Sequence, residues 1–308
     1  MSYPATVRAV EARAVAAIVI ASLTIALHDA LVKRINDELG IWQLYLLRAL
    51  FALPLLTALM RMRGVSLRPR RAGWVALRSL LMVTMWGFFY AALAQLSLPV
   101  VAATAYTFPL LLALMAAWLP EEHLDARRLL AVIVGFIGVL LMLRPGPEGL
   151  SPWSLLPLGS ALCYALAALV TRYRCVDEPP LVMSLGLNLG FVVAGVLGLA
   201  VVAGIDAQSV TAQPFILSGW QPVGAGLWSL MALLGVLIVT ASSLTAQAFQ
   251  QGRPTLIATC DYSYLPFAAL CSGVLVGEWP GPATLAGMAL IIGAGILAIH
   301  ARKGERPE

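Results

Sequence analysis

Apolar runs of about 20 residues recur along this chain, each long enough to cross a hydrocarbon core of about 30 Å as a helix. Cutting at glycine, proline and charge clusters separates ten of them: roughly 13–33, 41–62, 73–95, 99–119, 127–144, 152–173, 181–204, 224–249, 255–277 and 282–301. Lipid offers no partner to a free N–H or carbonyl, so each run is constrained to satisfy its own backbone as an α-helix. Composition agrees: 60% of the 308 residues are hydrophobic and 11% charged, against about 25% charged in soluble domains. The chain therefore reads as an all-α polytopic membrane protein. The first run follows Arg8 and Arg13 as a signal peptide's would, but no small-residue cleavage site follows it and nine further runs do. It reads as an uncleaved first span.

Basic residues set the orientation, since cytoplasmic loops carry the excess of lysine and arginine. With the N-terminus inside, 15 of the 20 basic residues fall on the cytoplasmic side, including the cluster Arg61, Arg63, Arg68, Arg70 and Arg71. Only Lys33, Arg34 and Arg144 fall outside, and Arg48 and Arg78 lie within spans. Both termini are then cytoplasmic, in a cell inner (plasma) membrane. The formal charge of +5 follows from topology, and no nucleic-acid partner is needed to explain it. Cys163, Cys175, Cys260 and Cys271 show no CxxC or metal-ligand spacing, which predicts neither a disulfide framework nor a metal site.

The chain also overlays on itself. A shift of 157 sets Pro109 on Pro266, Glu121 on Glu278 and Gly138 on Gly295, so "AYTFP" meets "YSYLP". Other shifts pair "YAALAQLSLP" with "TAQAFQQGRP" and "ALVKR" with "ALVTR". Five spans per half is an odd number, so two such halves, 1–146 and 147–308, would lie in opposite orientations. Inverted repeats of this kind mark many secondary transporters, whose sites lie near mid-membrane at the repeat interface.

With the five-plus-five arrangement, the arginine in "LLRALFAL" (47–54) and the hairpins "WLPEEHLDARRLLAVIVGFIGVLLM" (118–142) and "VGEWPGPATLAGMALIIGAGILAI" (276–299), the chain resembles the drug/metabolite transporter superfamily, in its ten-helix exporter branch. Each hairpin has an acidic residue after the fourth helix of its half, then a small-residue-rich fifth helix. The first departs from the pattern in having two adjacent acids, Glu121 and Glu122. Within that superfamily the chain is most similar to bacterial amino-acid and metabolite exporters, including the aromatic amino-acid group. The resemblance implies small-molecule substrates, no cofactor and no catalysis.

A charged side chain at the bilayer centre costs about 2.5–3.5 kcal/mol on insertion scales, so such groups face an interior or a cavity. Arg48 is the deepest, and both structural pairing and substrate contact suit it. Arg78, near the cytoplasmic end of its span, reads as a snorkelling side chain. His28 is either half of an interfacial pair with Asp29 or a substrate or proton contact. Thr240, Ser243, Gln247 and Gln250, spaced 3, 4 and 3, share one helix face that either glues helices or lines a wet path. Trp86, Tyr90, Tyr106, Tyr164 and Tyr264 cluster where the halves should meet, and mid-span tyrosines need a partner for the hydroxyl. Pro109 and Pro266 each remove an i to i−4 bond near mid-span and are candidate hinges. Asp261, about six residues into its span, is expected near the inner mouth, either on the pathway or in a salt bridge with Arg78 or Arg253.

These features favour an exporter of aromatic or neutral amino acids, or of related small metabolites, working by alternating access. The competing class is a lipid-handling or structural membrane protein without solute flux. No HExxH, GxSxG or GxxxxGK[ST] motif occurs, so the sequence offers no support for a membrane-embedded enzyme. The oligomeric state has no signature in the sequence.

Overall fold

The computed structural model describes residues 5–116, 126–143, 152–204, 214–252 and 254–300. They form α1 (Ala5–Arg34), α2 (Ile41–Met62), α3 (Ala72–Leu93), α4 (Leu98–Ala105), α5 (Phe108–Ala116), α6 (Ala126–Leu143) and α7 (Pro152–Arg174). There follow α8 (Pro180–Val202), the short α9 (Pro214–Leu217), α10 (Ala225–Gln251), α11 (Pro254–Cys260), α12 (Tyr264–Leu275) and α13 (Pro282–His300). Glu121, Glu122, His123, Arg144 and Arg253 lie outside the described residues.

Six of these helices are long and apolar enough to cross a membrane: α1, α2, α3, α7, α8 and α10. The fourth and ninth runs differ from the expected continuous helices, and proline is the reason. Between α4 and α5 the chain turns at Tyr106 and Thr107, and between α11 and α12 it tightens into the 3₁₀ turn Asp261–Ser263. Pro109 and Pro266, with no N–H to offer the preceding turn, follow these breaks closely. At the first break the Thr107 N–H and hydroxyl both turn back to the Thr104 carbonyl, at 3.2 and 2.9 Å.

Helices of the two halves interleave. α1 packs on α10 and α12, α2 on α8 and α10, α3 on α7 and α8, and α6 on α13. Exchanging each helix of the first half for its counterpart in the second carries most of these pairings onto one another. The α1–α10 contact becomes α7–α3, and α2–α10 becomes α8–α3. The α8–α10 contact has no comparable counterpart between α2 and α3. Small residues set the closest approaches, as lipid supplies no hydrophobic force between helices. A Cβ on Gly138 of α6 would lie 2.9 Å from the Gly287 carbonyl of α13, and one on Gly186 of α8 would lie 2.8 Å from Ser79 Oγ of α3. Gly273-x-x-x-Gly277 behaves differently. Gly273 accommodates the Trp279 ring, while Gly277, at φ +80, takes the left-handed conformation that ends α12.

Two sets of polar contacts close the ends of the bundle. At one, the Glu178 carboxylate accepts the Arg71 N–H, Arg71 lies 3.7 Å from Asp177, and Arg172 donates to the Gln250 carbonyl at 2.7 Å. At the other, Lys33 donates to the Leu93 and Leu96 carbonyls at 2.8 and 3.1 Å and faces Glu278 at 3.5 Å. Glu278 also accepts the Leu98 N–H at 3.2 Å, serving the first N–H of α4 from a distant loop.

Candidate functional site

One face of α1 carries Ser22, Ile25 and Asp29, at i, i+3 and i+7, and this face forms a wall of an internal cavity. The opposite walls come from α3 (Arg78, Met82, Trp86), the α4–α5 break (Tyr106), α7 (Ser160, Tyr164), α10 (Ala241, Ser242, Thr245) and the α11–α12 break (Asp261, Tyr264). These walls converge on one space. It is a narrow space: the centre of a water-sized sphere can range over only about 60 Å³ of it.

Its two carboxylates are held differently. Asp29, 1% exposed, accepts the Tyr264 hydroxyl on Oδ2 at 2.7 Å. On Oδ1 it meets Tyr90 at 3.4 Å and His28 Nδ1 at 3.1 Å. Arg48 can only donate, so its Nη1, 2.9 Å from His28 Nε2, makes that nitrogen the acceptor and leaves the ring proton on Nδ1. Arg48, His28 and Asp29 thus form one relay from cation to carboxylate. The Arg48 guanidinium also lies 4.3 Å from the Phe191 ring centre, a cation–π contact.

Asp261, 2% exposed, has hydroxyl donors only among the described residues. Ser22 lies 2.6 Å and Tyr106 3.3 Å from its Oδ1, and Tyr164 donates to Oδ2 at 3.0 Å. Two ring pairs flank the carboxylates. Tyr106 and Tyr264 stack at 4.6 Å with 3° between planes, and Trp86 lies 5.1 Å from Tyr90.

The structure brings His28, Arg48, Trp86, Tyr90, Tyr106, Tyr164, Asp261 and Tyr264 into one connected cluster and turns Ser243 and Gln247 away from it. Ser243 Oγ is buried without a partner among the described residues. Gln247 reaches Gln251 at 3.5 Å, Gln250 donates to the Cys175 and Glu178 carbonyls, and Thr240 returns to its own helix at Val236. The neighbouring face of α10 carries Ser242, which meets Ser184 of α8 and borders the cavity. "VTASSLTAQ" is polar all round, so spacing alone does not select its inward face.

Three further expectations are corrected. Asp261 is not near an inner mouth; it lies opposite Ser22, at the middle of α1. It makes no salt bridge with Arg78. Arg78 does not snorkel: it is 2% exposed, donates to Thr171 Oγ at 2.9 Å and to the Met183 carbonyl at 3.4 Å, and borders the cavity. The hinge candidates differ in setting, Pro109 being buried and Pro266 exposed on the outer face of α12. Asp29, Ser22, Ser160, Ser242 and Arg78 are wall residues that the sequence reading did not select. For Ser22 and Asp29 the signal was their i, i+7 spacing on one face of α1.

A multi-pass helical membrane protein with a largely apolar, ring-walled cavity that carries buried charged groups is the class that fold and site define. Residues 12–144 match the EamA-like transporter family, of the drug/metabolite transporter superfamily. It is 24% identical to a riboflavin transporter of Brucella anthropi over 86% of this chain and 88% of that one. It is 23% identical to an S-adenosylmethionine uptake transporter of Rickettsia prowazekii over 91% and 90%. With a pseudopaline exporter of Pseudomonas aeruginosa it shares 23% identity over 93% and 95%. A solved crystal structure superposes with a TM-score of 0.64 at 20% identity, over 99% of this chain and 100% of that one. That likeness concerns the fold.

Proposed function

We propose that the chain is a secondary transporter of the inner membrane, exporting neutral or aromatic amino acids or related small metabolites by alternating access through this cavity. The observation that carries the proposal is the cavity itself: two buried carboxylates and paired aromatic rings line one narrow cavity among apolar spans. A structural or lipid-handling protein has no use for buried charge there, which is expensive to keep from water. The relatives act on small metabolites by name, and their names include both uptake and export. Export is the direction we assign to this chain, from the resemblance of its hairpins to exporters.

The architecture we propose is ten crossings in two inverted halves, 1–146 and 147–308, with both termini cytoplasmic. α4 with α5, and α11 with α12, each count as one interrupted crossing. Two findings support this. The breaks fall at equivalent places under the 157-residue shift, and most helix pairings survive exchange of the halves.

The test is flux in proteoliposomes holding the purified protein, using labelled amino acids and a panel of vitamins and amino-acid conjugates. We expect flux of at least one zwitterionic or aromatic solute, reduced in Trp86→Ala and Tyr264→Ala. No flux for any solute counts against transport; undiminished flux in both variants places the pathway elsewhere.

A further inference from the structure

Two of the four charged side chains in and around the cavity cancel within the protein, and two do not. Arg48 is joined to Asp29 through His28 and Tyr90. Arg78 and Asp261 are left. Arg78 bonds only to neutral oxygens, of Thr171 and Met183, and no carboxylate lies within 4.0 Å of it among the described residues. Asp261 bonds only to the hydroxyls of Ser22, Tyr106 and Tyr164, and no cation lies within 4.0 Å of it on the same terms. Both are 2% exposed and both border one cavity. A buried charge without a counter-ion is costly, and an opposite charge brought to it is correspondingly well received.

We infer that Arg78 and Asp261 are the two poles of a receptor for a zwitterion, Asp261 taking its ammonium and Arg78 its carboxylate. The anchors of the two poles share one helix. Tyr164, which holds Asp261, and Thr171, which holds Arg78, are seven residues apart on α7, or about 10 Å at 1.5 Å per residue. Both side chains line the same cavity, and a separation set by these anchors suits an amino acid or a longer amine–carboxylate such as a dipeptide. The Tyr106–Tyr264 stack and Trp86 offer ring faces to its apolar body and cation–π contact to its ammonium. A cation alone leaves Arg78 uncompensated, an anion alone leaves Asp261 uncompensated, and a neutral solute leaves both.

This inference rests on the transport reading above and is tested so that the two fail separately. Binding to the purified wild-type protein is measured for L-phenylalanine and L-phenylalanyl-glycine, for 2-phenylethylamine (cation only), 3-phenylpropionate (anion only) and N-acetylphenylalaninamide (uncharged). At least one zwitterion should bind tenfold or more tighter than all three analogues. Asp261→Asn should weaken the zwitterion and 2-phenylethylamine at least tenfold and leave 3-phenylpropionate within about threefold; Arg78→Gln should do the converse. Retention of the one unaffected analogue in each variant shows that the cavity is intact. If either variant does not fold, the wild-type ligand series decides alone. The inference is overturned if an analogue binds as well as both zwitterions, if neither zwitterion binds, or if both substitutions leave zwitterion binding unchanged. Should proteoliposomes carry an uncharged or singly charged solute but no zwitterion, transport stands and the receptor does not. Should they carry nothing, the transport reading itself fails.

Discussion

Tyr264→Phe separates what the ring does from what its hydroxyl does. The hydroxyl donates to Asp29 Oδ2 at 2.7 Å, and no second bond reaches that oxygen among the described residues. The ring stacks on Tyr106 at 4.6 Å, a contact that phenylalanine keeps. The substitution therefore removes one hydrogen bond to a charged group and strips a buried carboxylate oxygen of its partner. Bonds of this kind contribute about 1.5–3 kcal/mol. At roughly 2–4 °C per kcal/mol for chains of a few hundred residues, melting in detergent should fall by about 3–12 °C. Intrinsic fluorescence during heating measures this. In an Asp29→Asn background the acceptor is uncharged, where a hydrogen bond contributes about 0.5–1.5 kcal/mol, so the same substitution should cost less. The difference is the coupling of the pair. A Tyr264→Phe variant melting within about 1 °C of wild type would refute the reasoning. It would show that the Asp29 carboxylate is satisfied without this hydroxyl.

Gly138→Val forces a side chain against the Gly287 carbonyl and should cost about 1–3 kcal/mol, seen as early melting, whereas Gly73→Ala meets nothing within 4 Å and should melt as wild type. Gln247→Ala should leave proteoliposome flux unchanged, because the side chain points to Gln251; Ser242→Leu, on the cavity wall, should abolish it. Glu278→Gln keeps an acceptor for the Leu98 N–H but loses the partly buried ion pair with Lys33, which still has the Leu93 and Leu96 carbonyls. It should shift stability by less than about 1 kcal/mol in thermal melts.

Most of the fold was legible because lipid narrows the choices: a 20-residue apolar run has few ways to satisfy its backbone other than as a helix. The same argument singled out rings that the structure brings together. A tyrosine in mid-span must find a partner, and Tyr90, Tyr106, Tyr164 and Tyr264 all point to carboxylates. Depth and facing were harder to read. Counting residues from the end of its run placed Asp261 toward one surface, but the break at Asp261–Ser263 changes the path of the chain there. Arg78 was read from its position near a helix end, where a long side chain usually reaches outward. Which way it turns is decided by Thr171 and the Met183 carbonyl on two other helices, and one helix's sequence does not contain that. On α10 every face carries a hydroxyl or amide, so the pattern lost its direction.

The breaks before Pro109 and Pro266 also bear on how stiff this protein is. A continuous helix resists bending because its carbonyls are bonded one turn ahead. At these two points proline has already removed a rung of the ladder, and at the first the Thr104 carbonyl accepts from Thr107 instead of from a residue a full turn ahead among the described residues. The two breaks lie level with Tyr106 and Asp261, beside the cavity wall. A half-helix displaced relative to its partner would turn at these breaks, so under the proposed transport its tilt and the shape of the cavity would change together.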